Sequence, residues 1–208
     1  MSQLDLRFDG PEGGPVLALA HGAGAPMDSP SLETIARGLG ERGVRVARFE
    51  FPYMRQRREG GRQRPPDREP VLRQTWLDVI AALGGGESLV IGGKSMGGRF
   101  ASMVADEAGV RGLVCLGYPF HPPGQPERLR VAHLEGLRTP ALIVQGTRDP
   151  FGTREEVEGY RLSPSIRVVW SEDGDHSFKP RRSSGRTEAG NLAAAVEEVA
   201  GFVRGLFE

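Results

Sequence analysis

The chain has 208 residues, enough for a single domain, 1–208, with a substantial core. Lys plus Arg and Asp plus Glu both number 27, a formal net charge of +0, so there is no global field to steer nucleic acid or an anionic membrane toward it. Hydrophobic residues at 38% and charged residues at 26% fit a soluble globular protein and exclude wholesale disorder. Cys115 is the one cysteine, so no internal disulfide is available; within Leu113-Val114-Cys115-Leu116 it reads as a small buried hydrophobe. The start, MSQLDLRFDGPEGG, lacks the basic-then-apolar pattern of a secretory signal, and no apolar run is long enough to span a membrane. A cytoplasmic location is the expectation.

In chain order, Leu4–Phe8 reads as an edge strand, and Val16–Ala20, Val44–Phe49, Ser88–Gly92, Gly112–Gly117, Ala141–Gln145 and Ile166–Trp170 as strands. Most are apolar throughout rather than alternating, the pattern of parallel strands buried on both faces. Between them lie helical patterns. One is capped by Ser29, with Pro30 at its first position, and runs to about Gly40. Others cover Pro70–Leu83, Met96–Glu107, Arg154–Tyr160 and Leu192–Phe207. Met54–Glu69 and Tyr118–Arg130 read as irregular. The alternation predicts an α/β fold with a mostly parallel sheet, whose ligands bind at the carboxyl ends of the strands.

Ile91–Gly98, IGGKSMGG, admits two chemistries. A phosphate-binding loop needs G-x-x-x-x-G-K-[ST], and its first glycine would fall at Ser88. Gly84–Gly86 lie at the far end of the Leu89-Val90-Ile91 run and cannot wrap the same phosphate. The other reading is a G-x-S-x-G nucleophile elbow, with Ser95 on a sharp strand-to-helix turn and Gly93 and Gly97 leaving room for it. In a chain with 30 glycines the bare pattern is weak, so its surroundings must carry the reading.

They supply partners. Asp149 follows the strand Ala141–Gln145, and His176 follows Ile166–Trp170. Ser95, Asp149 and His176 therefore emerge at one sheet edge, in the order nucleophile, acid, base. Asp173 and Asp175 are rival acids too close in sequence to His176 to orient it easily. His21, His121 and His133 do not sit between the last strand and the last helix. The oxyanion is assigned to the amides of Met96, just after the nucleophile, and Ala23, in the glycine-rich loop after Val16–Ala20, with Gly22 or Gly24 as the alternatives to Ala23. His21 is expected to fix that loop. Lys94 is expected to point away from the site and is given no chemical role. Tyr118, Phe120 and His121 follow a strand at the same edge and are candidate substrate-binding residues, with a Pro-stiffened packing loop as the alternative. The arginines of 54–69 suit either an anionic substrate group or, as the preferred reading, a solvated basic surface.

HGAGAPMDSP, FEFPYM, GGKSMGGR, GYPFHPPGQPE, QGTRDPFG and DGDHSF together resemble the α/β-hydrolase superfamily. Within it they resemble short dienelactone-hydrolase-like bacterial hydrolases related to eukaryotic testis-expressed and NSL-complex proteins. The resemblance implies a central sheet flanked by helices on both faces, with Ser95, Asp149 and His176 as a triad. Dienelactone hydrolases carry a cysteine nucleophile, so Ser95 is a departure that argues against dienelactone turnover. The space from Tyr118 to Pro140 is too short for a large cap domain. The expectation is a serine carboxylesterase acting on small-molecule acyl esters without metal or organic cofactor. The alternative is a hydrolase-fold binding or scaffold protein.

Overall fold

A computed structural model describes residues 4–60 and 64–208. In chain order the elements are β1 (Arg7–Asp9), β2 (Val16–Ala20), α1 (Pro30–Gly40), β3 (Arg45–Phe49), α2 (Pro52–Arg58), α3 (Glu69–Ala82), β4 (Leu89–Lys94), α4 (Met96–Val104), β5 (Gly112–Leu116), β6 (Ala141–Gly146), α5 (Arg154–Glu158), β7 (Ile166–Ser171) and α6 (Glu188–Gly205). The strands form one seven-stranded sheet in the order β1-β3-β2-β4-β5-β6-β7, parallel except for the antiparallel edge pair β1–β3. This is the α/β architecture expected, and the 117–140 segment between β5 and β6 contains neither helix nor strand, so no cap domain is inserted there.

Alternate residues of each strand face opposite sides, and both sides are apolar, so the sheet buries both faces. On one side Ala18, Ala20, Phe49, Ile91 and Cys115 pack with Leu72, Trp76, Val79 and Ile80 of α3 and with Phe100, Ala101 and Val104 of α4. On the other side Leu17, Leu19, Val46, Val90, Val114 and Leu116 pack with Leu32, Ile35, Ala36 and Leu39 of α1 and with Leu192 to Val203 of α6. The chain leaves β2 for β3 on one flank, then returns to β4 on the other flank of β2. The order reverses between β2 and β4, and the loops that follow these two strands diverge to open a crevice.

Three expectations shift. The edge strand is Arg7–Asp9 rather than Leu4–Phe8. The last helix starts at Glu188, where Thr187 Oγ1 accepts the Gly190 amide. Part of the segment read as irregular is helical: α2 begins on Pro52, whose fixed φ suits a first helical position, and buries Tyr53 and Met54, while Arg55 and Arg57 are half-buried and Arg58 is exposed. Residues 61–63 of that segment lie outside the described residues. Among the described residues, no helix is long and apolar enough to cross a membrane.

Candidate active site

The crevice at the reversal point is where Ser95 stands, between the end of β4 and the first residue of α4. Its backbone lies at φ 51° and ψ −115°, a region that side-chain-bearing residues rarely occupy, so the turn stores strain. The turn fits because its neighbours have no side chain. A Cβ on Gly93 would lie 2.7 Å from the Ala20 carbonyl oxygen, and one on Gly97 would lie 2.6 Å from that of His21. The Ser95 amide donates to the Leu116 carbonyl at 3.0 Å, tying the turn to β5.

His176 reaches Ser95 from the loop after β7, its Nε2 2.9 Å from Ser95 Oγ. Its Nδ1 is 2.7 Å from Oδ2 of Asp149, on the loop after β6. Asp149 is wholly buried. Its charge is met by three donors: the imidazole, the Phe151 amide at 2.9 Å on Oδ1, and the Gln145 side-chain amide at 3.0 Å on Oδ2. A buried carboxylate held this way is fixed in place and available to stabilise an imidazolium. The Phe151 ring lies over His176 with centroids 4.2 Å apart, limiting the imidazole's swing.

Gln145 and Phe151 escape the sequence reading. Gln145 is fully buried, and its Oε1 also accepts the Tyr118 amide at 2.7 Å. The only signal it gives is a polar residue ending the apolar run ALIV. The rival acids are engaged elsewhere. Asp173 pairs with Arg148 and Arg181, and Asp175 Oδ1 accepts the amides of Ser177 and Lys179.

A second serine–histidine contact, Ser102 Oγ to His133 Nε2 at 2.8 Å, has different chemistry. The Ser102 proton is given to the Arg99 carbonyl at 2.6 Å, so its oxygen accepts from His133 and His133 cannot serve it as a base. His21 is likewise consumed. Its Nδ1 donates to the Gly22 carbonyl at 2.7 Å, and its Nε2 accepts the Phe51 amide at 3.1 Å. Burial holds it below the usual imidazole pKa, so it stays neutral and fixes the 21–25 loop. The Tyr53 hydroxyl donates to the Ala23 carbonyl at 3.0 Å and steadies the same loop from α2. Ala23 thereby lies at the crevice opposite Ser95, while Met96, as the first residue of α4, has no intrahelical partner for its amide.

A cavity of about 330 Å³ opens beside Ser95 and His176. Gly22–Ala25, Ser29 and Ser31 form one wall, and Leu32, Ile35, Phe151, Phe178 and Leu192 give it an apolar interior. It lies on the α1–α6 side of the sheet. Tyr118, Phe120 and His121, expected to bind substrate, line none of it. Tyr118 and Phe120 are fully buried in the α3–α4 side, and Phe120 packs on Tyr160 with centroids 5.6 Å apart. His121 is also buried, its Nδ1 donating to the Pro122 carbonyl at 2.8 Å. Sequence places these residues at the correct sheet edge but not on a face. The arginines of α2 stand apart from the cavity too: Arg58 spans Asp28 at 2.7 Å and Glu50 at 2.6 Å.

Lys94 departs from its expected outward course. Its stem lines the cavity, and its Nζ is buried without a hydrogen-bond partner among the described residues. Burial pushes its pKa down to about 8, opposed by the charges of Asp149 and Asp175. Below pH 8 both folded and unfolded chains hold the proton, and the folded chain bears the full cost of desolvating it. Between pH 8 and 10.5 only the unfolded chain still binds it, so stability rises with pH. Chemical unfolding across this window should therefore show a gain of at most about 3 kcal/mol that is absent in Lys94→Met.

A family model described as "Alpha/beta hydrolase domain" matches residues 14–204. Among solved structures, a dienelactone hydrolase from Anabaena variabilis is similar with a TM-score of 0.73 and 21% identity, over 97% of this chain and 91% of that one. An alpha-beta serine hydrolase homologue from Coxiella burnetii gives a TM-score of 0.70 and 20% identity, over 96% and 91%. An α/β serine hydrolase without lid from Xanthomonas campestris gives 0.60 and 19%, over 98% and 87%. At these identities the likeness is one of fold.

Proposed function

The chain belongs to the alpha/beta hydrolase domain family, and we propose that it is a serine hydrolase that cleaves small acyl esters. The observation that carries this reading is the continuous chain of hydrogen bonds from Ser95 Oγ through His176 to the buried Asp149. Ser95 Oγ attacks the ester carbonyl as His176 Nε2 takes its proton. Asp149 holds the imidazole in the tautomer with Nδ1–H and stabilises the imidazolium that forms. The carbonyl oxygen becomes an oxyanion facing the amides of Met96 and Ala23. His176 returns the proton to the leaving alcohol, and the C–O bond of the ester breaks. Water then repeats the sequence on the acyl-serine, releasing the acid and free Ser95.

The cavity supports a modest substrate. Its volume, about 330 Å³, stands near the lower end of small-molecule sites, and its walls are mainly apolar. A short neutral acyl chain fits that chemistry better than a long or charged one. The partner is thus a small-molecule ester, handled without a metal or organic cofactor.

A fluorophosphonate probe should label the protein at Ser95, and Ser95→Ala should remove the label. On p-nitrophenyl esters, acetate and butyrate should be cleaved with kcat/KM at least about tenfold above that for decanoate, because an acyl chain longer than the cavity leaves methylenes in water or displaces the wall to fit. Absence of labelling in the wild type would leave a binding or scaffold role for the fold. A preference for decanoate would overturn the small-acyl assignment.

A further inference from the structure

Leu192, in the first turns of α6, is buried and forms part of the apolar interior of the cavity with Leu32 and Ile35. It also faces a second, smaller space. This is a groove of about 230 Å³ between α1 and α6, bordered by Thr34 and Gly38 on one helix and by Ala189, Ala193 and Val196 on the other. Among the described residues that border either space, Leu192 alone borders both. At that point one side chain separates the nucleophile's cavity from the groove. The place of that side chain is fixed. The neighbouring Asn191 side-chain amide donates to the Phe178 carbonyl at 2.8 Å, which ties the start of α6 to the loop that carries His176.

The groove suits an alkyl chain. The helices meet closely at its base, where a Cβ on Gly38 would lie 3.1 Å from Val196 Cγ1. Thr34 spends its hydroxyl on the Pro30 carbonyl at 2.8 Å. Arg42, just past the end of α1, is held by Glu197 at 2.9 Å and by the Gly38 carbonyl at 2.8 Å. Arg37 and Glu41 stand at the exposed rim, so the surface left for contact is that of Val196 and the two alanines. We propose that Leu192 is the specificity-determining residue for acyl length: it stands between the cavity and a groove that would take the distal methylenes of a medium-chain acyl group. With Leu192 in place, a chain that fills the cavity stops at its side chain. With that side chain cut back, the chain can continue between α1 and α6 and bury further methylenes there.

The effect on turnover rests on the serine-hydrolase reading, but the passage can be measured without turnover. The kinetic readout is the decanoate-to-butyrate ratio of kcat/KM on p-nitrophenyl esters, with thermal melting as the fold control. Leu192→Ala should raise this ratio at least about tenfold, the worth of about two further buried methylenes. Adding Ala193→Trp, which places a ring in the groove, should abolish the gain. Should Leu192→Ala fail to fold, Leu192→Val is read in the same way, with a gain of about threefold. In calorimetric titrations with no ester present, Leu192→Ala should bind decan-1-ol about tenfold more tightly than wild type does, and butan-1-ol within about twofold. A folded variant with an unchanged ratio and unchanged decan-1-ol binding, or a gain that survives Ala193→Trp, would overturn the assignment. If decan-1-ol binding tightens but no ester is cleaved, the role of Leu192 as a partition stands and the hydrolase reading falls.

Discussion

Asp149→Asn is expected to lower kcat by about 10⁴-fold while leaving the fold and KM nearly unchanged. The asparagine has the size and shape of the carboxylate; with its oxygen in the Oδ1 place it still accepts the Phe151 amide, while its amide nitrogen in the Oδ2 place faces His176 and gives up the Gln145 bond. What changes is the partner of His176 Nδ1. Facing an asparagine amide, Nδ1 becomes the acceptor, Nε2 then carries the proton, and no lone pair remains to take the Ser95 proton across the 2.9 Å contact. The negative charge that balances the imidazolium is lost as well. Steady-state kinetics on p-nitrophenyl butyrate, with thermal melting as the fold control, decides the point. A loss below about tenfold would move the acid's role away from Asp149.

The second large effect concerns space rather than charge. Gly93→Ala should destabilise the protein by about 3 kcal/mol and cut kcat/KM by about 100-fold or more. The added methyl would meet the Ala20 carbonyl oxygen at 2.7 Å, the Gly97 carbonyl carbon at 2.8 Å and the Gly98 amide nitrogen at 2.9 Å. All three are backbone atoms of β2 and α4, so no flexible side chain can yield. The contacts are relieved only by pushing the elbow away from β2, which moves Ser95 relative to both His176 and Ala23. Urea unfolding and fluorophosphonate labelling measure the two consequences. A stable variant with wild-type labelling would show that the elbow has slack the geometry does not suggest.

The sheet was legible because buried parallel strands carry an uninterrupted apolar signal. Val16–Ala20 agrees end to end with β2, and Ile166 starts both the expected and the observed last strand. Ser95, Asp149 and His176 could be picked out because each follows such a strand at its carboxyl end. What could not be read was which side of the sheet a loop residue joins. Tyr118 and Phe120 leave β5 at the right edge and turn into the α3–α4 side, while the cavity lies on the α1–α6 side. Helix α2 was hidden because its arginines dominate the composition and its apolar contact is only Tyr53 and Met54. Gln145 and Lys94 were missed for a shared reason. Both are polar side chains buried at strand ends, where sequence suggests exposure and only tertiary packing decides otherwise.

The separation of the two faces bears on how this protein could diversify. The triad hangs from strand ends shared by both sides of the sheet, but the cavity wall belongs to α1 and α6 through Leu32, Ile35 and Leu192. Substitutions at Leu32, Ile35 or Leu192 can therefore reshape the cavity without touching the α3–α4 packing around Trp76.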